Sequence, residues 1–294
     1  MWTPIDTQSK KLMNYLGVLP THLYRYRSLS LDTLDRLIDE EIIDETIFLA
    51  GLTDLNDPDE GRFTLNFQGS RDEILEYWRT ALKSFYPHLS AYEIEIMANS
   101  NTDELIANNF QIPERLITNT RCTLESVIRV ACFTTQFLNY SMWANYAKYI
   151  DRKDNNFDRG HAGICIEYKC DDSWRHTGLH PVEYTETIPD LRIISRNETE
   201  LVKAVYMKAP EWRSEDEWRM MSVLQTLPPF PTNFTANSKI KLEDSIQSVI
   251  FGMNTPNDLI DEIYSRVRVK KPKIAFKRVI RDPITFIRTA VDLT

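Results

Sequence analysis

Short strand-like runs, widely separated along the chain, limit what this sequence can fold into. They occupy residues 23–27, 131–135, 163–168, 246–253 and 273–280. The first alternates apolar and polar residues, and the others are largely apolar, the patterns expected of half-buried and buried strands. Strands this short and this far apart predict an α+β protein, built from mixed or mostly antiparallel sheets of short strands.

Helical sequence enters early, between the first strands and the central ones. Residues 70–119 have helical periodicity, and Ser70, Ser90 and Asn101 or Thr102 stand where N-caps are expected. No repeat, low-complexity segment or linker divides the chain. We therefore predict one α+β domain over residues 1–294, with residues 70–119 as an inserted helical subdomain or lid.

Composition narrows the function classes. The net charge is −8, which argues against a large surface for neutralising nucleic-acid phosphates. No apolar run approaches the roughly 20 residues of a membrane span, and the N-terminus has neither the basic nor the apolar part of a secretion signal. Histidine and cysteine spacing suggests no zinc site, so we predict no metal, no membrane contact and a cytoplasmic location.

Short motifs in a fixed order resemble a bacterial family known as domain of unknown function 2971 (DUF2971). The resemblance lies in the motifs LYRYR at residues 23–27, LNDP at 55–58, CFT at 132–134, SMWANY at 141–146, GIC at 163–165, VEY at 182–184, Lys208, Glu215, EWR at 217–219 and IFG at 250–252. Asp59 departs from the family, which usually has a bulky apolar residue there. The family has no established general activity, and its similarity to abortive-infection proteins implies bacterial antiviral defence.

A second resemblance implies an enzymatic reaction. ADP-ribosyltransferases of the arginine–serine–glutamate type place an Arg on the first strand, a Ser/Thr turn after a central strand, and an E-x-E motif later. This chain is similar in order, with Arg25 or Arg27, then Thr134 within FTT, then Glu215 and Glu217. The FTT element departs from the usual Ser-Thr-Ser. The resemblance implies an ADP-ribosyltransferase-like fold, with NAD as the substrate.

The residues fit that chemistry in physical terms. An Arg side chain, Arg25 or Arg27, offers a bidentate fork to a pyrophosphate. Cleavage of the nicotinamide–ribose bond develops oxocarbenium character, which the carboxylate of Glu217 would stabilise. Residues 215–223 read as a strand, so Glu215 shares a face with Glu217 and would orient or deprotonate the acceptor.

Four further residues complete the predicted NAD site. Thr134 or Ser141 would position Glu217, and Trp143 or Tyr146 would stack on nicotinamide. Each has a structural alternative: Ser141 as the N-cap of a helix, and the aromatic residues as core.

The charged residues also have a structural alternative. Glu217 and Arg219, or Glu215 and Arg25, would then form ion pairs within the sheet.

Three functions stay open from the sequence. The first is a defence or toxin-type enzyme that uses NAD, as an ADP-ribosyltransferase or NAD glycohydrolase, with a protein or nucleic-acid acceptor. The second is a metal-dependent nuclease that gathers carboxylates from Asp57, Glu60, Glu167, Glu215 and Glu217. The third is a non-catalytic module that binds a nucleotide or senses a phage component. Nothing in the sequence sets the oligomeric state or an antitoxin partner.

Overall fold

The fold is given by a computed structural model, which describes residues 17–110, 118, 121–122, 125–126, 128–151, 157–192, 194, 204–223 and 239–293. The strands are β1 His22–Arg27, β2 Thr46–Phe48, β3 Ala50–Gly51, β4 Thr64–Asn66, β5 Ile128–Thr134, β6 Tyr149–Asp151, β7 Phe157–Arg159, β8 Ile164–Lys169, β9 Leu179–Pro181, β10 Glu183–Tyr184, β11 Asp190–Arg192, β12 Met207–Lys208, β13 Glu217–Val223, β14 Lys239–Lys241, β15 Ile246–Phe251, β16 Ala275–Arg281 and β17 Arg288–Asp292. The α-helices are α1 Leu34–Arg36, which continues as a π-helix over Leu37–Ile43, α2 Arg71–Phe85, α3 Ala91–Ala107, α4 Tyr140–Asn145 and α5 Asn257–Lys270. Three 3₁₀-helices cover Leu52–Asp54, Asp172–His176 and Pro210–Glu215.

One nine-stranded sheet organises the described part of the chain. Its order is β17-β16-β15-β8-β1-β5-β13-β9, and β3 also pairs with β5. Within this sheet only β15 and β16 run parallel. The prediction of an α+β protein with a mostly antiparallel sheet is therefore confirmed. No described helix has the length and apolar character needed to span a membrane.

The largest hydrophobic core covers one face of this sheet. The π-helix and α5 supply Ile42 and Ile263, and the sheet supplies alternate residues such as Phe133 and Ile166. Alternation places every second strand residue on this face, which is why Trp218 belongs to the same core while its strand neighbours do not. Glu217 and Arg219, the strand neighbours of Trp218, therefore point to the opposite face.

The two long helices pack on each other. Ser70 caps α2 and Ser90 caps α3, each accepting a hydrogen bond from the backbone N–H three residues later in a capping box. These two predicted caps are thus confirmed. The third was wrong, because Asn101 and Thr102 lie inside α3 and not at its start. Residues 111–117 and 119 of the predicted helical segment lie outside the described residues, and its interpretation as an inserted subdomain or lid stays a prediction.

The sheet has a local gap that matters for the site. Strands β1 and β5 are in register at one pair only, Tyr24 with Thr134. Further along β5, the pairing partner is β3, with Ala50 opposite Val130. Between these two pairings β1 diverges from β5, and a cleft opens there.

Candidate functional site

A cleft of about 650 Å³ lies where β1 and β5 separate. Five of the eight predicted site residues line it: Arg25, Arg27, Tyr146, Glu215 and Glu217. They come from β1, from the residue that ends α4, from the end of the 3₁₀-helix Pro210–Glu215 and from the start of β13, so the fold brings together side chains that are distant in sequence. This volume is in the range of small-molecule binding sites.

A buried arginine forms the base of the glutamate side of the cleft. Arg219 is completely buried, and its Nε donates to Oε1 of Glu217 at 2.7 Å. Its Nη2 donates to Oε2 of Glu60 at 2.9 Å, and its Nη1 donates to Oε1 of Glu60 and to the carbonyl of Val205. The planar guanidinium thus binds two buried carboxylates at once, the geometry that makes Arg the preferred partner of such pairs.

A buried lysine joins the two predicted catalytic glutamates. Nζ of Lys208 donates to Oε2 of Glu215 at 2.7 Å and to Oε2 of Glu217 at 3.1 Å. The Tyr146 hydroxyl donates to Oε1 of Glu215 at 2.6 Å and accepts from the side-chain amide of Asn56 at 2.6 Å. A continuous polar network therefore runs from Asn56 at the turn before Pro58 to Arg219 within the sheet.

The network shifts the pKa values of its own charged side chains. Burial alone would raise the pKa of Glu217, but Arg219 and Lys208 outweigh it and lower that pKa to about 2. Burial raises the pKa of Glu60, against the effect of Arg219. Burial works to lower the pKa of Lys208, yet Glu217 and Glu215 hold it above its ordinary value. At neutral pH Glu217 is a carboxylate and Lys208 an ammonium.

Tyr146 stays protonated in this setting. Burial and the neighbouring Glu215 both raise the pKa of its hydroxyl above the ordinary value. It is therefore a hydrogen-bond donor to Glu215 across the physiological range.

The path of the chain between the two glutamates differs from the prediction. Glu215 ends a 3₁₀-helix rather than starting a strand, and Asp216 adopts a left-handed conformation with φ of 45°. The carboxylate of Asp216 accepts a hydrogen bond from Thr135 Oγ1, which holds this turn against β5. The strand prediction for residue 215 was wrong, because alternation cannot reveal a left-handed turn. Glu215 and Glu217 converge through Lys208 instead of through a shared strand face.

The two predicted arginines differ in exposure. Arg25 is 8% exposed, donates to the Phe48 carbonyl at 3.0 Å and lies over the Phe133 ring at 5.8 Å. The Arg27 side chain is 31% exposed, and its Nε lies 3.0 Å from Oε2 of the buried Glu41. Nη1 of Arg25 has no hydrogen-bond partner among the described residues. Arg27 is thus the accessible cation, while Arg25 is embedded behind it.

The arginines and the glutamates belong to opposite faces of the sheet. Arg25 lies on the side of Phe133, whereas Glu217 is in register with Thr134, the next residue along β5. Alternation assigns these neighbours to different faces. The cleft is lined by residues of both faces because β1 and β5 separate beside it.

Three predicted residues do not line the cleft. Thr134 is fully buried between Tyr24 and Glu217 in the sheet register. Trp143 is 1% exposed, packs edge-on against the Tyr26 ring, and donates its indole N–H to a backbone carbonyl. In the structure Trp143 is part of the core beneath the cleft.

Ser141 differs from both of its predicted roles. Its hydroxyl donates to Oδ1 of Asn139 at 2.7 Å, and Asn139 is the N-cap of α4. The cap therefore comes two residues earlier than the alternative interpretation placed it.

The five carboxylates predicted for a metal are all engaged within the protein. Glu60, Glu215 and Glu217 are paired with Arg219 and Lys208. Glu167 accepts from Tyr24, Ser248 and Lys277, and Asp57 accepts from the backbone N–H of Asp59. Across the described part of the chain, no group of three or more His, Cys, Asp or Glu residues could hold a metal ion.

Sequence reasoning did not assign Glu60 or Lys208 to the predicted NAD site. Glu60 was named only as a metal ligand of the alternative nuclease, and Lys208 only as a single position of the DUF2971 resemblance. Their role depends on burial beside Arg219 and Glu217, which no local pattern encodes.

No family model, curated protein or solved structure matches this chain. Both resemblances noted from the sequence therefore stay predictions, and the site has to be interpreted from its own geometry.

Proposed function

We propose that the cleft binds a dinucleotide of the NAD type and that the chain cleaves its nicotinamide–ribose bond. The observation that supports this most directly is that two arginines of β1, Arg25 and Arg27, line the same cleft as two glutamates. Glu215 ends the 3₁₀-helix before β13, and Glu217 is the first residue of β13. Cations for a pyrophosphate and carboxylates for a developing sugar cation thus adjoin one space of about 650 Å³. The reaction is NAD glycohydrolysis with water as acceptor, or ADP-ribosyl transfer to a protein or nucleic acid.

Each residue has a defined part in this reaction. Arg27, the accessible arginine, binds the pyrophosphate, and Arg25, buried behind it beside Glu41, adds positive charge at a distance. The carboxylate of Glu217 stays ionised, since its pKa is about 2, and stabilises the oxocarbenium character at C1′. Glu215, held by Tyr146 and Lys208, takes the proton of the attacking water. The C–N bond electrons leave with nicotinamide, and the water oxygen bonds to C1′.

The proposal extends to the fold family and to the setting. The order of Arg, Ser/Thr and E-x-E elements supports an ADP-ribosyltransferase-like arrangement of the sheet. The resemblance to DUF2971 and abortive-infection proteins supports a bacterial, cytoplasmic defence or toxin role. Both rest on the sequence motifs.

The test is turnover of NAD by the purified chain. Chromatography would follow nicotinamide and ADP-ribose, and we expect Glu217→Gln to reduce the rate by about 100-fold or more. Glu104→Gln, the same change at an exposed position of α3, should leave the rate unchanged. Absence of nicotinamide release by the wild-type chain, together with no rise in its melting temperature with NAD, would refute the proposal.

Arg27→Ala separates binding from chemistry. Removing the accessible phosphate ligand should raise KM for NAD more than it lowers kcat. Lys83→Ala removes an exposed cation of α2 and serves as the matched control.

One observation favours a second function, nucleotide recognition without turnover. Both carboxylate oxygens of Glu60, Glu215 and Glu217 already accept hydrogen bonds within the protein. A carboxylate held in this way contributes to structure as readily as to catalysis. A melting temperature that rises with NAD while no nicotinamide is released would identify this function.

A further inference from the structure

The outer strand β17 is an edge of the nine-stranded sheet, and no described strand pairs with its outer side. Two backbone hydrogen bonds fix its alignment with β16. The N–H of Leu293 donates to the carbonyl of Phe276 at 2.8 Å, and the N–H of Asp282 donates to the carbonyl of Ile287 at 2.9 Å. Both pairs fit the register of the two strands.

This alignment determines which backbone groups point outward. In an antiparallel pair, residues bonded to the neighbouring strand alternate with residues whose N–H and C=O point away from it. Thr289 and Val291 therefore bond to β16, while Arg288, Ala290 and Asp292 direct their backbone groups to the free edge. Three residues in alternate positions thus offer a complete hydrogen-bonding edge.

We propose that two copies of this chain associate through β17, in antiparallel pairing about a two-fold axis at Ala290. In this register Arg288 lies opposite Asp292 of the second copy, and Asp292 opposite its Arg288. All six outward N–H and C=O groups of each copy are then paired, and the same patch serves on both sides, as a two-fold interface requires. Opposite charges directly across a strand pair stabilise it.

The side chain of Arg288 has an unused donor. Its guanidinium lies 4.2 Å from the centroid of the Tyr140 ring, and its Nε is buried without a hydrogen-bond partner among the described residues. Asp292 is exposed. In the proposed pairing, the Asp292 carboxylate of the second copy lies across from Arg288 and carries the opposite charge to its guanidinium.

The other face of β17 is suitably apolar. Ile287 is 64% and Val291 38% exposed, and they share this face with Thr289. In the proposed register Val291 meets Thr289 of the second copy, and Ile287 meets its Leu293. The turn before β17 carries Phe286, which is 94% exposed, and exposed apolar residues of this kind mark association surfaces.

A second copy fits this edge better than an unrelated partner. In an antiparallel pair centred on Ala290, Arg288 of each copy faces Asp292 of the other. The segment is therefore complementary to a second copy of itself, both in charge and in backbone hydrogen bonding. An unrelated strand would need no such symmetry in this chain.

Sedimentation velocity of the full chain over a range of concentrations tests the proposal. We expect a reversible dimer in the wild type and a monomer in Ala290→Pro. Proline removes an N–H that the monomer does not use, so circular dichroism should show a folded variant.

Charge variants test the same interface even if the Ala290→Pro variant does not fold. Asp292→Arg places two cations opposite each other at both ends of the interface, and should raise the dimer Kd at least about tenfold. The double variant Arg288→Asp with Asp292→Arg should return Kd toward the wild-type value, whereas Lys83→Glu on α2 should not change it.

Two results would overturn the proposal. One is a wild-type chain that is monomeric at every concentration, which would leave the edge to a different protein. The other is a dimer whose Kd is the same in Asp292→Arg and in folded Ala290→Pro.

Discussion

Replacing Glu217 by glutamine tests how much the buried network contributes to folding, separately from any activity. The change keeps the shape of the side chain and removes its charge. Glu217 is 5% exposed and accepts hydrogen bonds from both Arg219 and Lys208. Those two cations stay in place in the variant, with Glu60 and Glu215 as their remaining anionic partners.

The magnitude follows from the pKa of Glu217. Its folded value is about 2, against an ordinary value of 4.5. At about 1.4 kcal/mol per pH unit, this difference corresponds to roughly 3 kcal/mol of stability. Because the folded pKa is the lower one, this stability is fully present above about pH 4.5 and is lost as the pH falls toward 2.

One coupling reduces the expected effect. The charge of Glu217 adds to the burial that raises the pKa of Glu60. Removing that charge lowers the free-energy cost of keeping Glu60 ionised in the folded protein. This gain offsets part of the stability that the variant loses. We therefore expect Glu217→Gln to lower the free energy of unfolding by about 2 kcal/mol at pH 7.

Urea unfolding followed by circular dichroism measures this at pH 7 and at pH 3. The difference between variant and wild type should shrink at pH 3, where the wild type has already lost part of the contribution. Glu104→Gln, at an exposed site, should change stability by less than about 0.5 kcal/mol. Equal stability of Glu217→Gln and wild type at pH 7, or a difference that does not vary with pH, would refute the reasoning.

Three other substitutions should also lower the stability of the folded protein. Arg219→Met leaves two buried carboxylates short of a cation and should cost about 3–5 kcal/mol in urea unfolding at pH 7; a cost below about 1 kcal/mol would mean that the pairs contribute little. Tyr146→Phe removes the hydroxyl between Asn56 and Glu215 and should cost about 1–2 kcal/mol by the same measurement, so an unchanged midpoint would contradict that bond. In Gly163→Ala the new Cβ would overlap the carbonyl of Arg27 and the backbone of Ala147, and the melting temperature should fall by several degrees; an unchanged value would show that the strands adjust freely.

Local sequence patterns predicted the strands and helix caps whose signals lie within a few neighbouring residues. The alternation in residues 23–27 predicted β1, and apolar runs predicted the cores of β5 and β8. Ser70 and Ser90 were identified as caps because a cap bonds to the backbone three residues away. Each signal lies within a few residues, so one sequence is enough to read it.

Two local errors show where such signals become ambiguous. Asn139 and Ser141 are both cap-forming residue types, and only the structure shows that Asn139 accepts from the backbone of Met142. The left-handed residue at the turn is Asp216 and not a glycine, so the sequence gives no signal for the turn. The predicted strand was therefore extended through it to Glu215.

The site could be predicted only in part, because its central contacts join distant segments. Glu60 and Arg219 are 159 positions apart, and Tyr146 and Glu215 are 69 apart. Charge and motif position nominated Glu215, Glu217, Arg25 and Arg27, but which cation binds which carboxylate depends on the packing of β13 against the turn after β3. Burial then decides the strength of those pairs, and burial is a property of the whole fold.

Lys208 makes the two predicted catalytic glutamates interdependent, and this decides how activity data have to be interpreted. Its Nζ bonds both Glu215 and Glu217, so neutralising either one changes the field and the hydrogen bonding of the other. If Glu217 stabilises the sugar cation and Glu215 takes the proton, Glu215→Gln should abolish the dependence of kcat on an ionised base while Glu217→Gln should lower kcat at every pH. If the network is only structural, both variants should reduce activity in proportion to lost stability, and activity should return at temperatures where each variant is fully folded. The pH profile and the temperature dependence together separate a carboxylate that contacts the reacting atoms from one that holds Lys208 in place.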